Sequence, residues 1–158
     1  MAIIQSSQGY EIFVDDEDLW LVLPYHWNTI YKKGDPVYAR CVSYDGPTPK
    51  NISIHRLIMS PDRSMVVDHI DGDGLNNCRA NLRICTTQQN AQSQRKRRGS
   101  GLPKGVHFRK VAGKYCAKIY VSGKTFNLGL YECPREAAHA YNKAAITHFG
   151  DFAVLNPI

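Results

Sequence analysis

The chain reads as an α+β protein built of two small units, and three observations predict it. Charge changes sign along the sequence: residues 1–94 carry 8 Lys/Arg and 11 Asp/Glu, a net −3, whereas residues 95–158 carry 12 and 3, a net +9. A basic run containing Gly, Ser and Pro lies at the crossover, as linkers do. Hydrophobic periodicity also changes, from short turn-broken runs in the first half to three alternating runs and one helical run in the second. The 158 residues, 43% hydrophobic and 22% charged, suffice for two small folded domains. The division predicted is 1–94, with a motif core at 50–92, a linker at 95–103, and a second unit at 104–158.

In the first unit, residues 10–14, 27–31 and 37–44 are β-prone and separated by Asp, Gly and Pro, which predicts a small antiparallel sheet. The acidic Asp15-Asp16-Glu17-Asp18 precedes apolar residues 19–23 and reads as the solvated start of a short helix. Residues 52–60 are apolar around His55 and Arg56, and are expected to pack against the polar segment that begins near residue 67. There the chain runs Val67-Asp68-His69-Ile70-Asp71-Gly72-Asp73, then Asn76-Asn77, Asn81-Leu82-Arg83 and Asn90.

The linker begins Arg95-Lys96-Arg97-Arg98. Such a run is either a nuclear localisation signal or an arm laid on phosphates; nothing else points to a nucleus, so the arm is preferred. Beyond it, residues 105–110, 115–121 and 125–131 read as three antiparallel strands, joined at Ala112-Gly113 and Ser122-Gly123-Lys124. Pro134 opens a helix with apolar positions at Ala137, Ala138, Tyr141, Ala144, Ala145 and Phe149, and Gly150 stands where it stops. In the sheet, Val106, Tyr115, Ala117, Ile119, Phe126 and Leu128 form the apolar set. Lys104, His107, Arg109, Lys118, Tyr120, Thr125 and Asn127 largely alternate with them. One face thus lies under the helix, and the other is basic, able to hydrogen-bond and suited to a DNA major groove, where Arg reads guanine and Asn reads adenine.

Other classes are disfavoured. No apolar run approaches the ~18 residues of a membrane span, and residues 1–5 lack a signal peptide's basic start, so a soluble protein of the cytoplasm is expected, in a bacterial or phage-infected cell. Five cysteines without a CxxC pair indicate neither a disulfide framework nor a zinc ribbon. Cys78, Cys85 and His69 have unusual spacing for a zinc site. Asp71 and Asp73 suggest a calcium loop, but Leu75 and Leu82 occupy its later ligand positions, so both acids are read as shaping a turn.

Asp68 and His69 carry the chemistry. Neighbours on a strand point to opposite sides, so the carboxylate can bind a cation while the imidazole takes a proton from water. VDHIDGDGLNN…NLR…QQN resembles the HNH nuclease motif, the ββα-metal (His-Me) finger of many phage and intron-encoded homing endonucleases. Residues 54–59 are similar to the helix preceding that motif in a homing-type subgroup. The resemblance implies Asp68 and Asn90 as metal ligands, His69 as general base and Asn81 as brace of the loop holding it. Asn90 stands where many relatives have His, which favours one oxygen-loving ion per site, Mg²⁺ or Mn²⁺, over zinc. The string from Lys104 to Asn156 resembles the APETALA-type (ethylene-response-factor) DNA-binding domain, implying that the alternating polar residues face DNA.

The expectation is therefore an HNH endonuclease of homing type that nicks or cleaves double-stranded DNA as a monomer or homodimer, with no membrane partner or small-molecule substrate. The rivals are a non-catalytic DNA-binding regulator with a degenerate nuclease unit, and a protein acting on RNA.

Overall fold

The computed structural model describes residues 1–32, 35–44, 46–93 and 101–158, and the chain gathers into two compact units, Met1–Asn90 and Ala91–Ile158. Arg95, Lys96, Arg97 and Arg98, with most of the expected linker, lie outside the described residues.

The first unit opens with a hairpin of which only the second strand is evident in the residue pattern. β1 (Ala2–Gln5) pairs with β2 (Glu11–Val14), placing Ile4 opposite Ile12. A 3-10 turn over Asp16–Asp18 and the single-turn helix α1 (Leu19–Val22) come next. The acidic run is solvated at Asp16 and Glu17, as its composition suggests, but not at Asp18. No acidic side chain caps either element, and Asp18 is only 3% exposed, because Arg79 donates to it from Nε at 2.8 Å and from Nη2 at 2.6 Å. β3 (Asn28–Lys32), β4 (Asp35–Ser43) and β5 (Lys50–Ser53) form an antiparallel sheet in sequence order. Then come α2 (Ile54–Met59), a β6 (Val66–His69) and β7 (Leu82–Cys85) pair, and α3 (Thr87–Ser93). Ile12, Val14, Val22, Trp27, Ile54 and Val67 meet in one core, so the hairpin and three-stranded sheet are packed on the β6–β7 segment.

The second unit is the regular one. β8 (Val106–Arg109), β9 (Lys114–Val121) and β10 (Lys124–Tyr131) form an antiparallel sheet with β9 central. α4 (Pro134–Phe149) has Pro at its first turn and Cys133 Sγ accepting the Glu136 amide at 3.5 Å. Its buried Ala137, Ala138, Tyr141, Ala145 and Phe149 pack on Val106, Ala117 and Ile119. Phe126 departs from the expected core: it is 45% exposed and stacks on His148 at the sheet margin. A bulge between Asn127 and Gly129 shifts the β10 register, which places Leu130 beside Cys116. Gly105 is required, since at φ +75° a Cβ would stand 2.0 Å from the Tyr141 ring. Asn156 closes the unit by accepting the Lys104 amide at 2.6 Å and donating to its carbonyl at 3.1 Å.

Candidate active site

The β6–β7 register sets the site. Asp68 lies opposite Arg83, and His69, the last residue of β6, lies opposite Leu82. Successive side chains diverge. Asp68 is 9% exposed, and its Oδ2 receives Arg83 Nη2 at 2.7 Å and Nε at 2.9 Å. His69 faces other partners. Its ring stands edge-on to that of His55, with centroids 5.1 Å apart, and its Nε2 lies 3.3 Å from Asn77 Oδ1. Tyr38 meets His55 edge-on at 5.9 Å. Burial, with smaller repulsion from His69 and Arg56, pushes His55 down to about 4, so this second imidazole is neutral at physiological pH.

The loop between β6 and β7 is held from within and from without. Asn81 accepts the Asp71 amide through Oδ1 at 3.0 Å and donates Nδ2 to Asp71 Oδ1 at 2.9 Å and to the Asn76 carbonyl at 2.8 Å. Asp71 also accepts the Asp73 amide, and Asp73 accepts the Leu75 amide, a pair of side-chain turns. Burial raises the Asp71 carboxyl, but these bonds and the nearby His69 outweigh it, leaving the group below its usual value. From outside, β2 reaches in through Phe13 N to Leu75 O at 2.9 Å and Asn77 N to Phe13 O at 2.7 Å. Asp15 accepts the Arg79 amide at 2.7 Å. Gly74 lies so near β4 that a Cβ would be 1.6 Å from the Val37 carbonyl oxygen.

Asn90 is on α3, whose start is a reciprocal cap: Gln89 N donates to Thr86 Oγ1 at 3.2 Å and Thr86 N to Gln89 Oε1 at 2.9 Å. Asp68 and Asn90 offer a carboxylate and an amide oxygen, a donor set that fits a hard divalent ion. Among the described residues, three acidic ligand atoms approach within 4.8 Å of one another at Asp15, Glu17 and Asp18. That cluster is already engaged by Arg79 and belongs to the turn that leads into α1, so it is no part of the His69 site.

A family profile described as HNH endonuclease matches residues 41–92. Across 160 residues the chain is 36% identical to an uncharacterised HNH endonuclease of Acanthamoeba polyphaga mimivirus, an alignment covering 99% of this chain and 80% of the relative. The chain belongs to the HNH endonucleases. It is a nuclease, and no solved structure matches it.

The alignment to the viral HNH relative runs through the second unit as well as the first. There the register brings Lys118 opposite Asn127 and Tyr120 opposite Thr125, with His107 opposite Cys116. With Arg109 they share the sheet face away from α4. His107, Arg109, Lys118, Tyr120, Thr125 and Asn127 are all exposed. A groove of about 540 Å³ crosses this face between His107, Arg109, Cys116, Lys118, Asn127 and Leu130. Lys104 is placed otherwise: it is half-buried, its Nζ donates to the Gln92 carbonyl at 3.0 Å, and burial lowers its ammonium pKa. Among the described residues, no helix of this HNH endonuclease is long and apolar enough to cross a membrane.

Sequence reasoning assigns no role to Asn77, Arg83 or Arg79. Asn77 has a signal, its place in the Asn76-Asn77 pair of the motif. Arg83 has one as well, the end of the NLR segment, although its partner Asp68 is 15 positions away; Arg79 has none, its partner Asp18 lying 61 positions away.

Proposed function

We propose that this HNH endonuclease is a homing-type enzyme that hydrolyses phosphodiester bonds of double-stranded DNA, cutting with β6, β7 and α3 as a ββα-metal finger and holding the duplex with an APETALA-type second unit. The observation that carries the reading is the divergence of Asp68 and His69 at the end of β6, beside a loop locked by Asn81. His69 accepts a proton from the attacking water. Asp68 and Asn90 would hold one Mg²⁺ or Mn²⁺, which when bound would supply charge neutralisation at the scissile phosphate and the leaving 3′-oxygen. Arg83 fixes the Asp68 carboxylate, and Asn81 fixes the loop so that water meets an imidazole already in position. The products expected are 5′-phosphate and 3′-hydroxyl ends.

Binding rests on different physics. Arg109 and Lys118 supply positive charge, and His107, Asn127, Thr125 and Tyr120 supply hydrogen bonds on one exposed sheet face suited to a major groove. Joining a weak cutter to such a binder raises its local concentration on DNA. Arg95, Lys96, Arg97 and Arg98 add contacts to phosphate.

The test incubates supercoiled plasmid with purified protein and Mg²⁺, Mn²⁺ or EDTA, comparing wild type with His69→Ala on a gel resolving nicked from linear DNA. Metal-dependent cutting that the variant loses, with duplex binding retained, is the expected result. Intact DNA throughout, on a duplex the protein demonstrably binds, would shift the reading to a non-catalytic regulator.

A further inference from the structure

We infer that Asn77 is a positioning residue that selects which nitrogen of His69 is left free to take the proton. The inference deepens the reading of His69 as general base and rests on it. An amide oxygen only accepts, so the 3.3 Å contact between Asn77 Oδ1 and His69 Nε2 requires the hydrogen on Nε2. The lone pair is then on Nδ1. The amide is oriented by its other end, since Nδ2 faces the Gly74 carbonyl at 3.5 Å, which turns Oδ1 to the imidazole.

Asn77 is suited to this because it is held on several sides. Its side chain is fully buried, and its backbone amide donates to the Phe13 carbonyl at 2.7 Å. Gly74, the other anchor of the amide, is pressed against the β4 backbone at Val37. The His69 tautomer is therefore determined by β2 and β4, two strands outside the region that carries the acid, the base and the brace. A buried asparagine with this arrangement performs for the imidazole what a carboxylate does in a catalytic triad: it holds tautomer and ring orientation without itself exchanging a proton.

The experiment records ¹⁵N and ¹³C NMR of the histidine rings at about pH 8, where imidazoles are neutral, with His69 assigned from the spectrum of His69→Ala. It compares wild type, Asn77→Leu and Asn77→Asp, and measures plasmid nicking for each. Wild-type His69 is expected as the Nε2–H form. In Asn77→Leu the Nδ1–H form rises and kcat falls at least about tenfold, with KM changed less than about twofold. Asn77→Asp, which restores an acceptor oxygen, is expected to recover the tautomer and most of kcat. A wild-type His69 carrying its hydrogen on Nδ1 overturns the inference, and this reading needs no variant to fold. An Asn77→Leu protein with an unchanged tautomer overturns it equally. Nicking by His69→Ala at the wild-type rate sinks the base assignment and, with it, the catalytic value of the contact, while the tautomer spectra report on the contact independently.

Discussion

The loop after β6 and the open face of the second unit's sheet are both rich in polar residues, and they use them in opposite ways. In the loop, Asn77 and Asn81 are buried and every bond of the Asn81 side chain is spent on main chain or on Asp71. On the sheet, Lys118, Tyr120, Thr125 and Asn127 stand exposed on alternating positions. A reacting group must be held before its substrate arrives, which demands satisfied, immobile neighbours. A surface that meets a hydrated polyanion needs reachable charge and displaceable water. The two regions therefore call for different experiments.

The largest effect tests this division directly. His69→Ala is expected to lower cutting about 1,000-fold while leaving duplex affinity unchanged by gel shift; a comparable loss of affinity would mean that the first unit also carries binding.

Acid should expose the other imidazole. His55 titrates near 4 when folded and near 6.5 when unfolded. The unfolded chain thus binds a proton that the folded one does not. Stability is complete above pH 6.5 and is lost as pH falls towards 4, by about 3 kcal/mol. Chemical denaturation of wild type against His55→Phe at both pH values checks this, because the variant should lack that share of the acid sensitivity.

Asn81→Ala takes one partner each from the Asp71 amide, the Asp71 carboxylate and the Asn76 carbonyl, and is expected to cost about 2 kcal/mol in the first unit. Duplex binding should be unaltered. A binding loss equal to the stability loss would erase the distinction between the two regions.

The smallest effect is on the sheet. Changing Arg109 and Lys118 together to Ala is expected to weaken duplex binding about tenfold and reduce the slope of log K against log salt by about 2. Nicking at saturating protein should be unaffected.

The second unit was the more legible. Strand alternation and the helical spacing from Ala137 to Phe149 are local periodicities, and each placed a residue on a face without knowledge of the rest. Phe126 escaped because its position at the sheet margin, beyond full cover by α4, is not a property of its own strand. The first unit was legible as a motif and poorly as a structure. β1 is Ala2-Ile3-Ile4-Gln5 and β5 is Lys50-Asn51-Ile52-Ser53, and neither alternates apolar with polar residues, so no strand period declares itself. Asp18 reads as solvated with the rest of its acidic run until Arg79 is brought against it from across the unit.

By itself the sequence determined the chemistry available and the faces of the regular elements: a carboxylate next to an imidazole, amides at set intervals, and a basic sheet face opposite a helix. These arise from side-chain identity and from repeats of two and 3.6 residues. Tertiary structure alone decided that Arg83 holds Asp68, that Asp18 is buried against Arg79, that β2 grips the loop at Leu75 and Asn77, and that Asn77 meets His69. Each of these joins residues whose separation in the chain carries no periodic signal, so only the packing of one strand on another could bring them within hydrogen-bond reach.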